Sequence, residues 1–441
     1  MKIAVIGSGI SGLSAAWLLA QRHEVTLYER ESRPGGHSHT VDVAGPRGAA
    51  VAVDTGFIVY NEPNYPNLTA LFSHLGVATQ PSTMSFSVSL RDGRLEYCGS
   101  GLAGLFAQKA NLLRPAFWSL VLDLVRFYRT IGADADAAGS LTLGQYLDRK
   151  GFRSPFQDEH ILPMAAAIWS ASTADMRDYP VAAFARFFAN HDLLNLGQRA
   201  PWRTVAGGSR TYVRRMLEAM GGAGVMRTGA VRLERRSERV IVHDASGGAC
   251  SFDHAVIATH ADDALALLEA SPQEQALLGA FRYTQNRVLL HSDPRFMPRR
   301  RHVWSSWNYV SEGDANTGVP CVTYWMNELQ SLPKELPLFV TLNPAREPAP
   351  GTLHRIDHYA HPLFDARALA AQRELWSLQG LRRTWFCGSY FGSGFHEDGL
   401  QAGLAVAEQL GGLARPWSVA NASGRIVVGP APAAVQEERA A

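Results

Sequence analysis

Residues 3–29 constrain this chain more than any other stretch. They read IAVIGSGISGLSAAWLLAQRHEVTLYE. An apolar run from Ile3 to Ile6 meets Gly7, Gly9 and Gly12, a helix of small residues follows, and a second apolar strand ends in Glu29. This is the βαβ dinucleotide fingerprint with its strand, turn, helix and acid all present. Gly7 permits the tight turn, Gly9 lets the backbone approach a pyrophosphate, and Gly12 lets the helix pack closely on the strand. Ile10 and Ser11 open that helix, whose N–H groups and positive dipole end suit phosphate oxygens. Glu29 stands 22 positions after Gly7, where a carboxylate accepts from a ribose hydroxyl, with Arg30 beside it.

The residues that follow favour FAD over NAD. Arg33-Pro34-Gly35-Gly36-His37 comes directly after the acid, and Asp54-Thr55-Gly56-Phe57 soon after. A plain NAD domain has no need of a second glycine pair there. A flavoprotein does, because its chain passes close to the pyrophosphate and the isoalloxazine edge. A third short strand at 252–260 ends at Thr259. A fourth apolar strand enters the glycine-rich run Gly388-Ser389-Tyr-Phe-Gly392-Ser-Gly394-Phe-His396-Glu397-Asp398-Gly399 and then a helix of small residues. Its N-terminus can face the second phosphate or the flavin carbonyls. Gly35, Gly36, His37, Thr55, Gly56, Phe57, Thr259, Gly388, Ser389, Glu397 and Asp398 join the first turn as candidate cofactor contacts.

These four segments together resemble the FAD-dependent amine oxidase and phytoene desaturase superfamily, from residue 1 to about 412. Within it, the chain is similar to bacterial oxidoreductases described as NAD/FAD-binding, on DTGFIVYN at 54–61, WSSWNY at 304–309, VTYWMN at 322–327 and GFHEDG at 394–399. The resemblance implies noncovalent FAD and an association with enzymes that modify membrane acyl chains, such as cyclopropane or methyl-branched fatty acid synthesis. The superfamily usually carries an acid after the glycine at 388; Ser389 stands there instead and can make one hydrogen bond.

The expected fold is α/β: a Rossmann-like FAD-binding domain of the glutathione-reductase type with an inserted α+β substrate domain. Residues 1–75, 205–280 and 380–412 form the FAD-binding domain, residues 76–204 and 281–379 the substrate-binding domain, and residues 425–441 a flexible tail. Strands are expected at 84–90, 95–98, 286–290, 303–310, 322–326 and 338–342. The turn Val205-Ala-Gly207-Gly208-Ser209 resembles the superfamily's turn before a helix beside the cofactor.

At 441 residues the chain is long enough for two domains, and a net charge of +2 gives no electrostatic case for nucleic acid. Four scattered cysteines support neither a disulfide framework nor a zinc site, which points to a reducing compartment. The glycine motif interrupts the apolar N-terminus, so it is not a signal peptide, and no apolar run reaches the roughly 18 residues of a spanning helix. A cytoplasmic protein is expected, at most peripheral at the inner membrane. His37 and His39 lack further ligands, so no metal is expected.

Because the flavin does the redox work, a catalytic side chain is not obligatory. His396 and Glu397 are the candidates for taking a proton as hydride leaves, the alternative being that they and Asp398 cap the following helix. Tyr60, Trp307, Tyr309, Tyr324 and Trp325 are the candidate substrate contacts, with Trp325 on the opposite strand face from Tyr324; packing between sheet and helices is the alternative. Residues 112–128, apolar with flanking arginines, read either as a core-packed helix or as an interfacial one.

The favoured reaction is removal of hydride from an apolar substrate, a fatty acyl chain, to leave a double bond. An amine oxidase is the alternative, although amine oxidases often place a lysine near the flavin and the four lysines here offer no candidate. Cys387 precedes Gly388 on the strand, the wrong place for a covalent flavin link. A flavin-binding electron-relay partner and an NAD-only dehydrogenase stay open, and the electron acceptor is undetermined.

Overall fold

The computed structural model describes residues 1–137, 139–190, 193–194, 200–221, 224–312 and 321–430. Its centre is a five-stranded parallel sheet in the order Gly224–Arg227, Glu24–Tyr28, Lys2–Ile6, His254–Ile257, Thr384–Phe386. The strands Lys2–Ile6, His254–Ile257 and Thr384–Phe386 are short and almost wholly buried, as expected where helices cover both faces of a parallel sheet. Three distant parts of the chain therefore meet side by side. The fold is the mixed α/β arrangement expected: a Rossmann-like core with a separate sheet domain.

The helix Ile10–Leu19 is buried along its whole length. Small residues permit that. A Cβ on Gly12 would stand 1.9 Å from the Gly7 carbonyl oxygen, and the helix His396–Gly411 crosses so closely that a Cβ on Gly403 would stand 2.1 Å from the Ser11 carbonyl oxygen.

The second sheet has seven strands in the order Leu353–Leu363, Arg282–His291, Phe339–Leu342, Cys321–Trp325, Trp307–Val310, Phe86–Leu90, Leu95–Cys98. All neighbours are antiparallel except Trp307–Val310 with Phe86–Leu90. Two expectations change here. Val303 closes a 3-10 turn, Arg301–Val303, and the strand begins only at Trp307. The edge strand Leu353–Leu363 adds to the expected set; three histidines, Arg355 and Asp357 interrupt its apolar residues, so no apolar alternation marks it.

The chain past residue 425 also departs from the expected flexible tail. Arg425 pairs with the buried Asp398, with Nε 2.7 Å from Oδ1, and Gly429 accepts from Gln409 at 2.8 Å. A buried carboxylate needs a cation, and Arg425 supplies it. Residues 431–441 lie outside the described residues.

Candidate active site

The glycine turn sits at the carboxyl ends of the parallel strands, the usual ligand position in open α/β sheets. A Cβ on Gly9 would meet nothing within 4 Å, so open space lies over this residue; one on Gly36 would come 3.1 Å from Gly9 Cα. The two loops are tied by the Gly35 N–H donating to the Ser8 carbonyl at 3.0 Å. Glu29 closes the far side, accepting from the Ser8 N–H at 3.0 Å and the Glu31 N–H at 2.9 Å. Arg30 pairs with Asp263 at 3.1 Å, and Thr259 adjoins Gly7.

A second layer is built on Asp54, the residue just before the expected contacts Thr55, Gly56 and Phe57. Its fully buried carboxylate accepts from the Thr40 hydroxyl at 2.6 Å, the Ser209 N–H at 2.9 Å and Gln330 Nε2 at 2.9 Å. Burial pushes this carboxyl up to about 6. Asp54 thereby pins the Gly207–Gly208 turn, where a Cβ on Gly208 would stand 2.4 Å from Thr40 Cγ2 at a φ of +86°. Thr55 and Phe57 donate backbone hydrogen bonds to the His39 and His37 carbonyls at 2.9 and 2.7 Å, so the two expected cofactor loops run together. Between them Gly56 has no room for a side chain.

His396 opens the helix that crosses Ile10–Leu19. Its ring stacks on Phe57 with centroids 3.9 Å apart, and Nε2 lies 2.7 Å from the Tyr212 hydroxyl and 3.1 Å from Ser38 Oγ. Tyr212 and Ser38 bond each other as well. Burial pushes the Tyr212 hydroxyl well above its usual range and the imidazole down to about 3. Tyr212 therefore donates, and the ring stays neutral at ordinary pH. A group with so low a pKa is a poor general base at pH 7; this geometry suits hydrogen bonding.

Glu397 and Asp398 are engaged away from the glycine turn. Glu397 is fully buried and accepts from the Asn67 and Leu68 N–H groups at 3.1 and 3.0 Å, Asn67 Nδ2 at 2.8 Å and Gln401 Nε2 at 2.9 Å. It thus caps the helix Pro66–His74, where the helix dipole and free N–H groups favour a carboxylate. That placement corrects the expectation of catalysis or cofactor contact. Asp398 accepts from the Phe395 N–H at 2.7 Å as a cap of its own helix and is neutralised by Arg425. Ser389 lies in a tight turn whose carbonyl accepts from Gly392 and Gly394, and Gly388 faces the Tyr390 ring.

The seven-stranded sheet meets these loops through Tyr359, whose hydroxyl lies 2.7 Å from Thr55 Oγ1 and 2.9 Å from His39 Nδ1. Cross-strand partners share a face, so the register puts Tyr359, Val340, Tyr324, Tyr309, Trp307 and Phe86 on one side. Trp307 and Tyr324 touch edge to face at 5.0 Å. Trp325 lies on the other side against Trp304, as the alternation predicts. Tyr60 is buried between Tyr65 and Phe72.

Does FAD fit? The opening over Gly9, two helix N-termini beside it and the acid at Glu29 match a dinucleotide. Two buried nitrogens without a hydrogen-bond partner among the described residues, His37 Nε2 and Trp307 Nε1, add unsatisfied polar capacity. His37, His260 and His361 gather near Tyr359, with His37 ring centroids 6.1 Å from His260 and 5.4 Å from His361. No pattern in the sequence joins Tyr212, Ser38, Asp54 and Tyr359, which come from separate segments.

Solved structures with this fold include putrescine oxidase bound to putrescine, with a TM-score of 0.63 and 14% identity over 92% of this chain and 98% of that one. Cyclohexylamine oxidase from Brevibacterium oxydans has a TM-score of 0.63 and 17% identity, covering 93% and 99%. A fatty acid isomerase from P. acnes that produces CLA has a TM-score of 0.61 and 15% identity, covering 92% and 97%. AofH of Mycobacterium tuberculosis, described as a flavin-containing monoamine oxidase, is 24% identical over 361 residues, 78% of this chain and 70% of AofH. The family described as flavin containing amine oxidoreductase matches residues 10–410. The chain belongs to that family and is an FAD-dependent oxidoreductase.

Proposed function

We propose that this enzyme oxidises an apolar substrate, a methyl-branched or unsaturated fatty acyl chain of a membrane lipid: one carbon gives a hydride to the bound flavin, its neighbour gives a proton that passes ultimately to solvent, and a double bond remains. The observation that carries this reading is the sheet face bearing Phe86, Trp307, Tyr309, Tyr324 and Val340, an aromatic and aliphatic wall next to the cofactor loops. Lys2, Lys109, Lys150 and Lys334 are all exposed, so no lysine amine is offered to a flavin there.

FAD, once bound, supplies the electron sink for the substrate C–H bond. In this reading Gly7, Gly9, Ile10, Ser11, Gly12, Gly35 and Gly36 hold the pyrophosphate and Glu29 the ribose. His396, kept neutral and oriented by Tyr212 and Ser38, offers a hydrogen bond at the N-terminus of its helix. The aromatic wall excludes water and orients the chain.

A second reading, oxidation of an amine, is favoured by the relatives described as acting on putrescine and cyclohexylamine. The test is the visible flavin band of the anaerobic holoenzyme mixed with detergent-dispersed unsaturated phospholipid, putrescine or cyclohexylamine. Bleaching by the lipid is expected. Bleaching by an amine and not by lipid overturns the acyl-chain reading.

A further inference from the structure

The helix Pro115–Ala137 divides its apolar side chains between two surfaces. Phe117, Leu120 and Phe127 are buried in the core. Trp118 and Leu122, one turn apart, face outward and are 44% and 62% exposed. The preceding chain adds Leu113, 87% exposed, and Leu112 on the turn Lys109–Leu113, and Leu102, 73% exposed, on the helix Gly101–Leu105. Trp118 Nε1 donates to the Leu112 carbonyl at 3.0 Å, and its ring lies 5.0 Å from that of Phe106, which joins these segments into one surface. Single exposed apolar residues are ordinary, but five large ones within residues 102–122 form a patch of the kind that meets a partner or a membrane.

Charge decides which. Residues 99–122 contain no Asp or Glu, while Lys109 and Arg114 lie among the apolar residues. His302 Nε2 lies 2.9 Å from the Ala107 carbonyl oxygen, and its exposed neighbour Arg301 has its guanidinium 5.0 Å from the Trp304 ring. The two acids that flank this stretch are both buried and paired: Glu96 accepts from the Arg299 and Arg300 N–H groups at 2.7 and 3.2 Å, and Asp123 accepts from the Arg153 N–H at 3.0 Å. The surface is apolar and basic together.

We propose that this surface docks the protein on an anionic lipid bilayer, with Leu113, Trp118 and Leu122 entering the acyl boundary and Lys109, Arg114 and Arg301 meeting lipid phosphates. It lies on the membrane without crossing it: no helix among the described residues is long and apolar enough to span. Beneath the patch, Phe106 packs on Phe117 at 5.7 Å and Phe117 on Tyr97 at 5.5 Å. Tyr97 pairs with Val88, and Val88 with Tyr309, so ring packing and then strand pairing link the docking surface to the sheet face proposed to meet substrate. Docking goes beyond the acyl-chain reading and does not depend on it.

The test is flotation of the holoenzyme with phosphatidylglycerol-rich vesicles and with pure phosphatidylcholine vesicles, without turnover. Binding to the anionic vesicles that weakens in high salt is expected, with at least about a tenfold loss in Leu113→Asp/Leu122→Asp that retains its flavin. Wild-type protein that fails to float with anionic vesicles overturns the proposal, as does a flavin-loaded variant that floats equally well. A dimer that the variant splits, with no flotation, assigns the patch to self-association instead. Each result is independent of the lipid bleaching assay in detergent, so docking and substrate class fail separately.

Discussion

The glycine turn and the Tyr359 face of the seven-stranded sheet both border the loops between Gly35 and Phe57, yet sequence specifies them in opposite ways. In the turn the determinant is distance between backbones. Gly12 is fixed because a Cβ would stand 1.9 Å from the Gly7 oxygen and Gly403 because one would stand 2.1 Å from the Ser11 oxygen. On the sheet the determinant is which side of the pleat a residue occupies, and many large apolar residues fill such a position. The turn is therefore legible one letter at a time, whereas the sheet is legible only after register is known.

The largest effect separates two glycines of the same turn. Gly12→Val forces contact with Gly7 and Ala258, at a cost of about 3 kcal/mol or more, so the protein should lose FAD and unfold at much lower urea. Gly9→Ala meets nothing within 4 Å, so the apoprotein's urea midpoint should hold while FAD affinity falls. Equal midpoints for the two variants would break the distance argument.

Next in size is Glu397→Ala, which strands the buried Asn67 and Leu68 N–H groups and should cost roughly 2–3 kcal/mol. Turnover per bound flavin should stay near wild type, because Glu397 caps the helix Pro66–His74. A large loss of turnover in a folded, flavin-loaded variant would return Glu397 to the chemistry. Sequence could not settle this: His396, Glu397 and Asp398 are adjacent letters, but successive helical positions point about 100° apart. One stacks on Phe57, one caps a distant helix and one pairs with Arg425. The same limit hid the role of Asp54, whose partners Thr40, Ser209 and Gln330 come from three other segments. Four strands of the parallel core, by contrast, are readable as local apolar runs, two of them (Lys2–Ile6 and Thr384–Phe386) leading into glycine turns; the fifth, Gly224–Arg227, carries no such mark.

The sheet side is sharpened by Trp307→Leu and Trp325→Leu. Each should cost about 1–2 kcal/mol by lost ring packing, Trp307 against Tyr324 and Trp325 against Trp304. Only the Trp307 variant should also raise KM, read from steady-state kinetics on the substrate that bleaches the flavin. A KM change from Trp325 alone would mean the outer face is the working one.

The smallest effect concerns protons. Burial holds the His396 imidazole at about 3 in the folded protein against 6.5 as its ordinary value. Below about pH 6.5 the unfolded chain therefore binds a proton that the folded chain refuses until about pH 3, and stability falls as the pH drops through that interval. His37, His39 and His361 are lowered by burial too, so the whole protein should melt earlier in acid. His396→Gln isolates one contribution. Between pH 7 and pH 5 its melting temperature should decline less steeply than that of wild type, by the equivalent of under about 1 kcal/mol after allowance for the ring's partial exposure. Parallel profiles would mean that His396 charges in the folded state as readily as in the unfolded chain. The Tyr212 hydroxyl would then face an imidazolium with no lone pair for it to donate to, and the neutral hydrogen-bonded ring beside Phe57 would have to be abandoned.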